Sequence, residues 1–252
     1  MGRIELFKQH LREKRAVKII AGIDNFDLEN VKNVVSAANQ AGASAIDISA
    51  SQEIFNAARE LTELPLFVSS IVPEELAQAI AWGADAIELG NFDALYKKGL
   101  RVGADEVFEL ARKTMSLIHK AETFVCVTIP GHISVAEQID LARKLEEIGV
   151  DLIQTEGAAI ANVQSEGARG LMETAQVSIA NTIEITRNVD IPVMTASGIT
   201  STTAAMAFAA GASAIGVGSC VNKLDSSIAM MAAVKGLVEI AEKNATREMI
   251  TA

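Results

Sequence analysis

The residues best suited to chemistry in this sequence are a lysine and two carboxylates that stand among apolar neighbours. Lys18 lies in the run AVKII, Asp47 in AIDI and Glu88 in AIEL. Burying an ionised group is unfavourable unless it is paired or hydrogen-bonded, so we predict that Lys18 pairs with Asp47, Glu88 or both. The cluster is either a structural ion group or a catalytic lysine with an imine-forming or electrostatic role, whose proton state the carboxylates control.

Two further residues are candidates for proton transfer, Glu156 and His132. Glu156 follows the apolar segment that begins at 150, and His132 follows the strand-like run 123–129. For His132 a solvated loop position is the alternative. His10 and His119 fall in helical segments, so the three histidines do not form a zinc site. Since no ligand spacing specifies Mg²⁺ either, no metal is predicted.

A short pattern that occurs four times predicts the elements that carry these acids. Each copy is a glycine followed by an apolar segment, and each follows a stretch of helical spacing. The glycine is expected to cap the helix and the apolar segment to form a buried strand. The glycines are at 42, 83, 149 and 211, and the helical stretches are 27–41, 74–82, 134–148 and 202–210. Four more strand-like runs lie between them, at 16–22, 65–70, 123–129 and 192–197.

Eight strands that alternate with helices predict an α/β fold, a (β/α)8 TIM barrel in which residues 1–252 form one domain. An open doubly wound sheet is the alternative, but four repeats favour closure. The segment 1–15 has apolar residues at helical spacing and is expected to form a short N-terminal helix that closes the bottom of the barrel. Long loops follow strand 4 (91–103) and strand 6 (156–169), and loops of this length are often functional.

The repeat also predicts which side chains face the barrel interior. Strand side chains alternate with period two, so the sixth positions of the four copies share one face. These positions hold Asp47, Glu88, Gln154 and Gly216. The opposite parity is apolar, for example Ile46 and Ile48, and must face the helices. A polar layer is therefore expected inside the barrel, where apolar layers are usual.

Glycine-rich segments close the last two predicted strands and are typical of a phosphate site. The segment 195–199 is TASGI, and 216–219 is GVGS. The loops after strands 7 and 8, with a short helix N-terminus, hold phosphate in many barrels of this kind. Residues 191–222 contain no charged residue. Backbone N–H groups would therefore have to bind the phosphate, with Ser197, Ser219, Asn222 and Lys223 as further donors.

Composition excludes several classes of function. Of the 252 residues 32 are acidic and 22 are basic, and the net charge of −10 argues against nucleic-acid binding. The uncharged stretch 191–222 is interrupted by glycine and proline, and the first fifteen residues lack a signal peptide's apolar region, so no membrane partner is predicted. Cys126 and Cys220 are expected to be buried free thiols in a reducing compartment. The helix 226–240 is expected to pack on the barrel, and a homo-oligomer stays an open alternative.

Five segments, which together span nearly the whole chain, carry a resemblance to a known family. They are KIIAGIDNF (18–26), ELGNFD (88–93), IQTEG (153–157), PVMTASG (192–198) and GVGSCVN (216–222). In these motifs the sequence resembles the Ycf23 family (DUF561), which is found in cyanobacteria and algal chloroplast genomes. The resemblance implies an aldolase-type barrel of uncharacterised function, and a location in the cyanobacterial cytosol or the chloroplast stroma.

The leading functional hypothesis is an enzyme that acts on a small phosphorylated metabolite by lyase, synthase or isomerase chemistry. Decarboxylase barrels with Asp-x-Lys-x-x-Asp on strand 3 are excluded, because residues 66–70 are LFVSS. An FMN-dependent oxidoreductase is one alternative, with FMN as cofactor, and a non-catalytic sensor of a phosphorylated metabolite is another. The candidate ligand-binding residues are Asn25, Asn91, Gln154, Ser197, Gly198, Gly216, Gly218 and Ser219.

Overall fold

The computed structural model describes residues 2–96 and 98–251, with side chains as far as residue 246. Eight parallel strands form a closed barrel in which each strand pairs with the next and β8 pairs with β1. The predicted (β/α)8 barrel is therefore confirmed, and the open sheet is excluded. The strands are β1 (Ala16–Ile20), β2 (Ala45–Ser49), β3 (Leu66–Ser70), β4 (Ala86–Leu89), β5 (Phe124–Ile129), β6 (Leu152–Thr155), β7 (Val193–Thr195) and β8 (Ala214–Val217).

Helices surround the barrel and precede or follow the strands as predicted. Two of the repeat glycines illustrate how the α-to-β connections form: Gly42 and Gly83 have φ of 78° and 99°, a left-handed conformation that glycine adopts without strain. The helices are α1 (Arg3–Arg12), α2 (Leu28–Ala41), α3 (Gln52–Leu61), α4 (Pro73–Trp82), α5 (Asp93–Tyr96), α6 (Ala104–Leu117), α7 (Val135–Glu147), α8 (Gly167–Thr186), α9 (Ala204–Ala209), α10 (Ser219–Asn222) and α11 (Ser227–Thr251).

The apolar core has two parts, as the strand parity predicts. The outward-facing residues of the strands, such as Ile46 and Ile87, pack against the helices in one large cluster. At the bottom of the barrel, α1 inserts Phe7 against the rings of Phe67 and Phe124, with ring centres 5.0 Å and 5.9 Å away. Such edge-to-face contacts add to the free energy of burial. The bottom of the barrel is therefore filled with apolar side chains, which leaves the other end for a ligand.

Several boundaries differ from the sequence prediction. The strand predicted to reach residue 197 ends at Thr195, because Ser197 leaves the extended region with φ of 67°. The loop 91–103 contains the one-turn helix α5, and the loop after β6 contains a 3-10 turn, Ala158–Ile160. Helix α11 packs on the barrel through Met230 and Val234, as expected, but extends to Thr251 rather than ending at 240.

Two further expectations concern the membrane and the cysteines. Within the described residues, the structure contains no helix of the length and apolarity needed to cross a bilayer. Both cysteines are free thiols. Cys126 is buried as expected, but Cys220 is only partly buried, because it lies in the short helix α10 at the rim of the barrel.

Candidate functional site

The predicted ion cluster lies in the middle of the barrel. Lys18 Nζ donates to Asp47 Oδ2 at 3.0 Å and also to Glu88 Oε2. All three side chains are 0% exposed. The predicted pairing is therefore confirmed, and it involves both carboxylates. The strand arrangement explains this pairing. Lys18 on β1 lies beside β2, which carries Asp47. Asp47 and Glu88 lie on alternate strands, β2 and β4, and side chains of alternate strands share a layer of the barrel interior.

Electrostatics keep the lysine charged. Burial by itself would lower the pKa of Lys18, but the charges of Asp47 and Glu88 outweigh it, and the pKa of Lys18 is raised. Burial raises the pKa of Glu88, with Lys18 acting against it. An imine forms only from a neutral amine, so this environment opposes Schiff-base chemistry at Lys18. Lys18, Asp47 and Glu88 therefore form an ion group that is closed to solvent, in which one ammonium group serves two carboxyl groups.

A second polar layer covers the ion cluster. Gln154 Nε2 donates to Glu88 Oε1 at 2.8 Å and to Asn91 Oδ1 at 2.9 Å. Ser69 Oγ donates to Asp47 Oδ1 at 2.5 Å, so this carboxylate accepts from Ser69 on one oxygen and from Lys18 on the other. Gln154 and Asn91 also line the cavity above. This layer therefore separates the charged cluster below from the cavity above.

The cavity lies at the carboxyl ends of the strands and has a volume of about 360 Å³. Seven of the thirteen predicted site residues line it and six do not. Those that line it are Asn91, Gln154, Glu156, Ser197, Gly198, Gly218 and Ser219. The six others are Lys18, Asp47, Glu88, Asn25, His132 and Gly216.

Two carboxyl groups without a cationic partner among the described residues form one wall of the cavity. Glu156 Oε2 accepts from the backbone N–H of Asp93 at 3.0 Å, and Glu156 Oε1 accepts from the Tyr96 hydroxyl at 2.5 Å. Burial, reinforced by the charge of Asp93, raises the pKa of Glu156 to about 8. Burial also raises the pKa of Asp93, against a hydrogen bond from Ser197 Oγ. Groups that titrate near neutral pH are suited to acid–base catalysis.

Next to these carboxyl groups the cavity lining is bare backbone. Ser197 and Gly198 have φ of 67° and 80°, so two successive residues are left-handed. Within the described part of the chain, the backbone N–H groups of Gly198 and Ile199 donate to no other residue. Both residues line the cavity. This part of the lining therefore offers donors to a ligand, and it lies in the segment predicted to bind phosphate.

Three predicted binding or catalytic residues need correction. The Asn25 amide donates to Ala21 O and Asn30 Oδ1, so it holds its own loop rather than a ligand. Gly216 lies below the cavity, where a Cβ would come within 2.8 Å of Ala196 Cβ, so its role is packing. His132 lies behind Glu156, because a tyrosine from the long loop after β4 stands between them.

Sequence reasoning missed several residues around the cavity. Asp93 and Tyr96 lie on α5, whose single turn has no periodic signal, although Asp93 ends the motif ELGNFD. Asp24 lines the cavity and pairs with Lys98 at 3.3 Å.

The short helix α10 has four residues, so the dipole expected at its N-terminus is small. Lys223, which follows it, lines the cavity as a cation.

The acidic residues of the cavity do not form a metal site with other side chains of the described residues. In residues 2–96 and 98–251, no group of three or more His, Cys, Asp or Glu side chains is placed to hold a metal ion. Asp93 and Glu156 form a pair, and the hydrogen bonds from Ser197 and Tyr96 already engage them. The donors present thus fit proton chemistry.

Fold and cavity together define a (β/α)8 barrel with a cavity at the end where enzymes of this fold carry their active sites. The model of the family described as "Protein of unknown function (DUF561)" matches residues 4–247. The chain belongs to this family, which confirms the resemblance noted from its motifs.

Relatives extend over most of the chain. The "Uncharacterized protein ycf23" of Cyanophora paradoxa is 39% identical over 222 residues, which cover 88% of this chain and 90% of that protein. The protein of the same name from Pyropia yezoensis is 35% identical over 219 residues, covering 87% and 80%. These relatives establish the family and assign no reaction.

Solved structures share the fold. A 3-hexulose-6-phosphate synthase from Salmonella typhimurium aligns with a TM-score of 0.66 and 13% identity, covering 91% of this chain and 99% of that one. A thiamine phosphate pyrophosphorylase from Pyrococcus furiosus aligns with a TM-score of 0.58 and 21% identity, covering 93% and 98%. At these identities the likeness shows the barrel fold alone.

Proposed function

We propose that this protein is an enzyme that binds a small phosphorylated metabolite in the cavity and acts on it by acid–base chemistry. The observation that carries the proposal is a pair of N–H groups, at Gly198 and Ile199, that have no acceptor among the described residues and lie in the cavity that Glu156 also lines. Backbone N–H groups at left-handed residues bind phosphate oxygens well. The names of several barrels that share the fold include a phosphorylated compound, which agrees with this choice.

Charge distribution in the cavity supports a bound ligand with two different ends. The Gly198 backbone offers a donor and Lys223 a positive charge for a phosphate, whereas Asp93 and Glu156 supply carboxyl groups to the same cavity. Since the pKa of Glu156 is about 8, this group is largely protonated at neutral pH and repels the ligand little. Asn91 and Gln154 form the floor, where they can bind hydroxyl or carbonyl oxygens.

The proposed chemistry is proton transfer in a lyase, synthase or isomerase reaction, with Glu156 as the acid–base group. Glu156 touches the cavity, whereas Lys18 lies beneath its floor, charged and doubly paired. We therefore assign Lys18 an electrostatic and structural role. Its cluster holds Gln154 and Asn91 in place, and these two position the reacting end of the ligand.

A thermal-shift screen tests this proposal. The protein is heated with a panel of sugar phosphates and, in parallel, with the same sugars lacking phosphate. Since a ligand that binds the native state raises the Tm, we expect a rise only with phosphorylated members. The rise should vanish in Gly218→Ala, which adds a methyl group to a residue that lines the cavity, where its Cβ makes ordinary contacts with the nearest atom at 3.6 Å. It should persist in the helical control Gly236→Ala. Equal shifts with and without phosphate would contradict the proposal.

The proposal on location rests on the relatives rather than on the structure. The similar proteins come from algae, among them Cyanophora paradoxa and Pyropia yezoensis. We propose that the protein acts in a cyanobacterial cytosol or a chloroplast stroma. Immunodetection in fractionated cells would test this, and recovery with the membrane fraction would contradict it.

A further inference from the structure

A continuous chain of hydrogen bonds leads from the cavity wall to the protein surface. The Tyr96 hydroxyl donates to Glu156 Oε1 at 2.5 Å and lies 2.9 Å from His132 Nδ1. The rings of Tyr96 and His132 meet edge to face, with centres 5.0 Å apart. Glu156 is buried, whereas Tyr96 and His132 are partly exposed. Three loops, those after β4, β5 and β6, each supply one member.

We propose that Tyr96 and His132 form a proton relay that connects Glu156 with solvent behind the cavity. The relay rests on the proposed function in that it serves an acid–base role of Glu156. An acid that has given its proton to a bound ligand must be reprotonated, and a ligand that fills the cavity blocks access of water from the front. Tyr96 contacts Glu156, His132 contacts Tyr96, and neither residue lines the cavity, so they act as positioning and relay residues.

The relay works by two coupled proton hops. The protonated Glu156 carboxyl gives its proton to the Tyr96 oxygen, while the Tyr96 hydroxyl proton passes to His132 Nδ1. Glu156 is then a carboxylate, Tyr96 is neutral as before, and His132 is an imidazolium ion. His132 releases a proton to water from Nε2, the ring nitrogen that Tyr96 does not contact. The reverse sequence carries a proton from water back to the Glu156 carboxylate. Heavy atoms need not move, because only hydrogens reorient before the hops: the Tyr96 hydroxyl turns from Glu156 to His132 Nδ1, and the protonated Glu156 Oε1 donates to the Tyr96 oxygen.

The charges around the relay favour proton storage on Glu156 and proton release from His132. Glu156 faces the Asp93 carboxylate and the Tyr96 hydroxyl, and burial with the charge of Asp93 raises its pKa, so it holds the proton at neutral pH. Burial and Glu156 raise the pKa of Tyr96, which keeps it neutral. His132 faces Arg101, Asp93 and Glu137; burial and Arg101 lower its pKa, against the two carboxylates, so it releases a proton readily.

Infrared spectroscopy after a rapid pH jump tests the relay on the whole protein without a substrate. The C=O band of protonated Glu156 is identified as the band that disappears in Glu156→Gln, and its decay is timed after a jump from pH 6 to pH 9. Tyr96→Phe and His132→Phe remove the two carriers, and His119→Phe, at an exposed position on another loop, is the control. We expect both relay variants to slow the decay about 100-fold, the scale typical of a positioned proton-transfer group, and the control to match wild type.

Further readouts separate the relay from a merely structural role. In His132→Phe the midpoint of the Glu156 titration should stay near the wild-type value of about 8, since Tyr96 still contacts Glu156. In His132→Ala, added imidazole should restore the fast decay. Wild-type decay rates in both Tyr96→Phe and His132→Phe would overturn the proposal and show that Glu156 exchanges through the cavity. Phosphate binding is measured separately, so failure of the relay and failure of the proposed function are distinguishable.

Discussion

The barrel contains two sets of carboxyl groups, one above the other, and their surroundings differ in every respect that decides chemistry. In the lower set, Asp47 and Glu88 share the ammonium group of Lys18 and are sealed from solvent. In the upper set, Glu156 and Asp93 accept hydrogen bonds from neutral groups and line the cavity. The lower set contains its own cation, one ammonium group shared by two carboxyl groups, whereas the upper set has no cation of its own among the described residues and leaves its charge to a proton or a ligand.

This difference teaches that an unusual residue inside a barrel is not by itself a catalytic residue. Lys18 attracts attention because it is charged in an apolar strand, yet the carboxylates that justify its burial also hold its proton. Glu156 is less conspicuous in the sequence, but it has contact with the cavity and a pKa of about 8. Proton chemistry is therefore expected in the upper set and stability in the lower one.

The largest effect is expected when the lower set loses its cation. Lys18→Met leaves two carboxylates in a dry interior, and breaking a buried pair in this way costs about 3–5 kcal/mol of unfolding free energy. The matched control is Lys32→Met, which breaks an exposed pair with Glu29 and should cost less than about 1 kcal/mol. Urea unfolding measures both. Similar losses for the two variants would break the distinction between sealed and exposed charges.

The upper set should make stability depend on pH. Unfolded Glu156 releases its proton near its ordinary pKa of 4.5, and folded Glu156 near 8. Between these values the folded state holds the extra proton, so wild-type stability falls as pH rises, by up to about 1.4 kcal/mol per pH unit. Glu156→Gln should have a shallower slope and be more stable than wild type at pH 8. Identical slopes from pH 5 to pH 8 would show that Glu156 titrates normally.

Two glycines on the proposed phosphate wall should respond differently to alanine. Gly198 has φ of 80°, and a Cβ there would lie 3.0 Å from Thr174 O, so Gly198→Ala should cost about 1–3 kcal/mol. Gly218→Ala places its Cβ in ordinary contact, with the nearest atom at 3.6 Å, and should change stability by less than about 0.5 kcal/mol. Thermal unfolding of the two variants checks this. A large loss in Gly218→Ala would mean that its glycine serves packing rather than a ligand.

The smallest effect is expected at the mouth of the cavity. Asp24 and Lys98 form a pair at 3.3 Å, and both side chains are about half exposed. Solvent and salt screen such a pair, so Asp24→Asn should cost less than about 1 kcal/mol, and the loss should shrink further in concentrated salt. A loss as large as that of Lys18→Met, unaffected by salt, would show that this pair is sealed as well.

How much the sequence predicts depends on whether a residue lies on a strand. Lys18, Asp47 and Glu88 were predicted to meet because the period of two and the four repeats determine which side chains face inward. Asp93 and Tyr96 were missed because they follow a strand on a single helical turn, where no period exists. Asn25 and His132 were placed correctly at the carboxyl ends of strands, but their side-chain directions depend on the path of each loop.

The central claim is that backbone at Gly198 and Gly218 holds a phosphate group in the cavity that Glu156 also lines. The most direct measurement is a titration of the protein with inorganic phosphate followed by ³¹P NMR, in wild type, Gly218→Ala and the control Gly236→Ala. The account predicts saturable binding in wild type and the control, weakened about tenfold or more in Gly218→Ala, which corresponds to about 1.4 kcal/mol. Equal phosphate binding in all three proteins, or none in wild type, would contradict it.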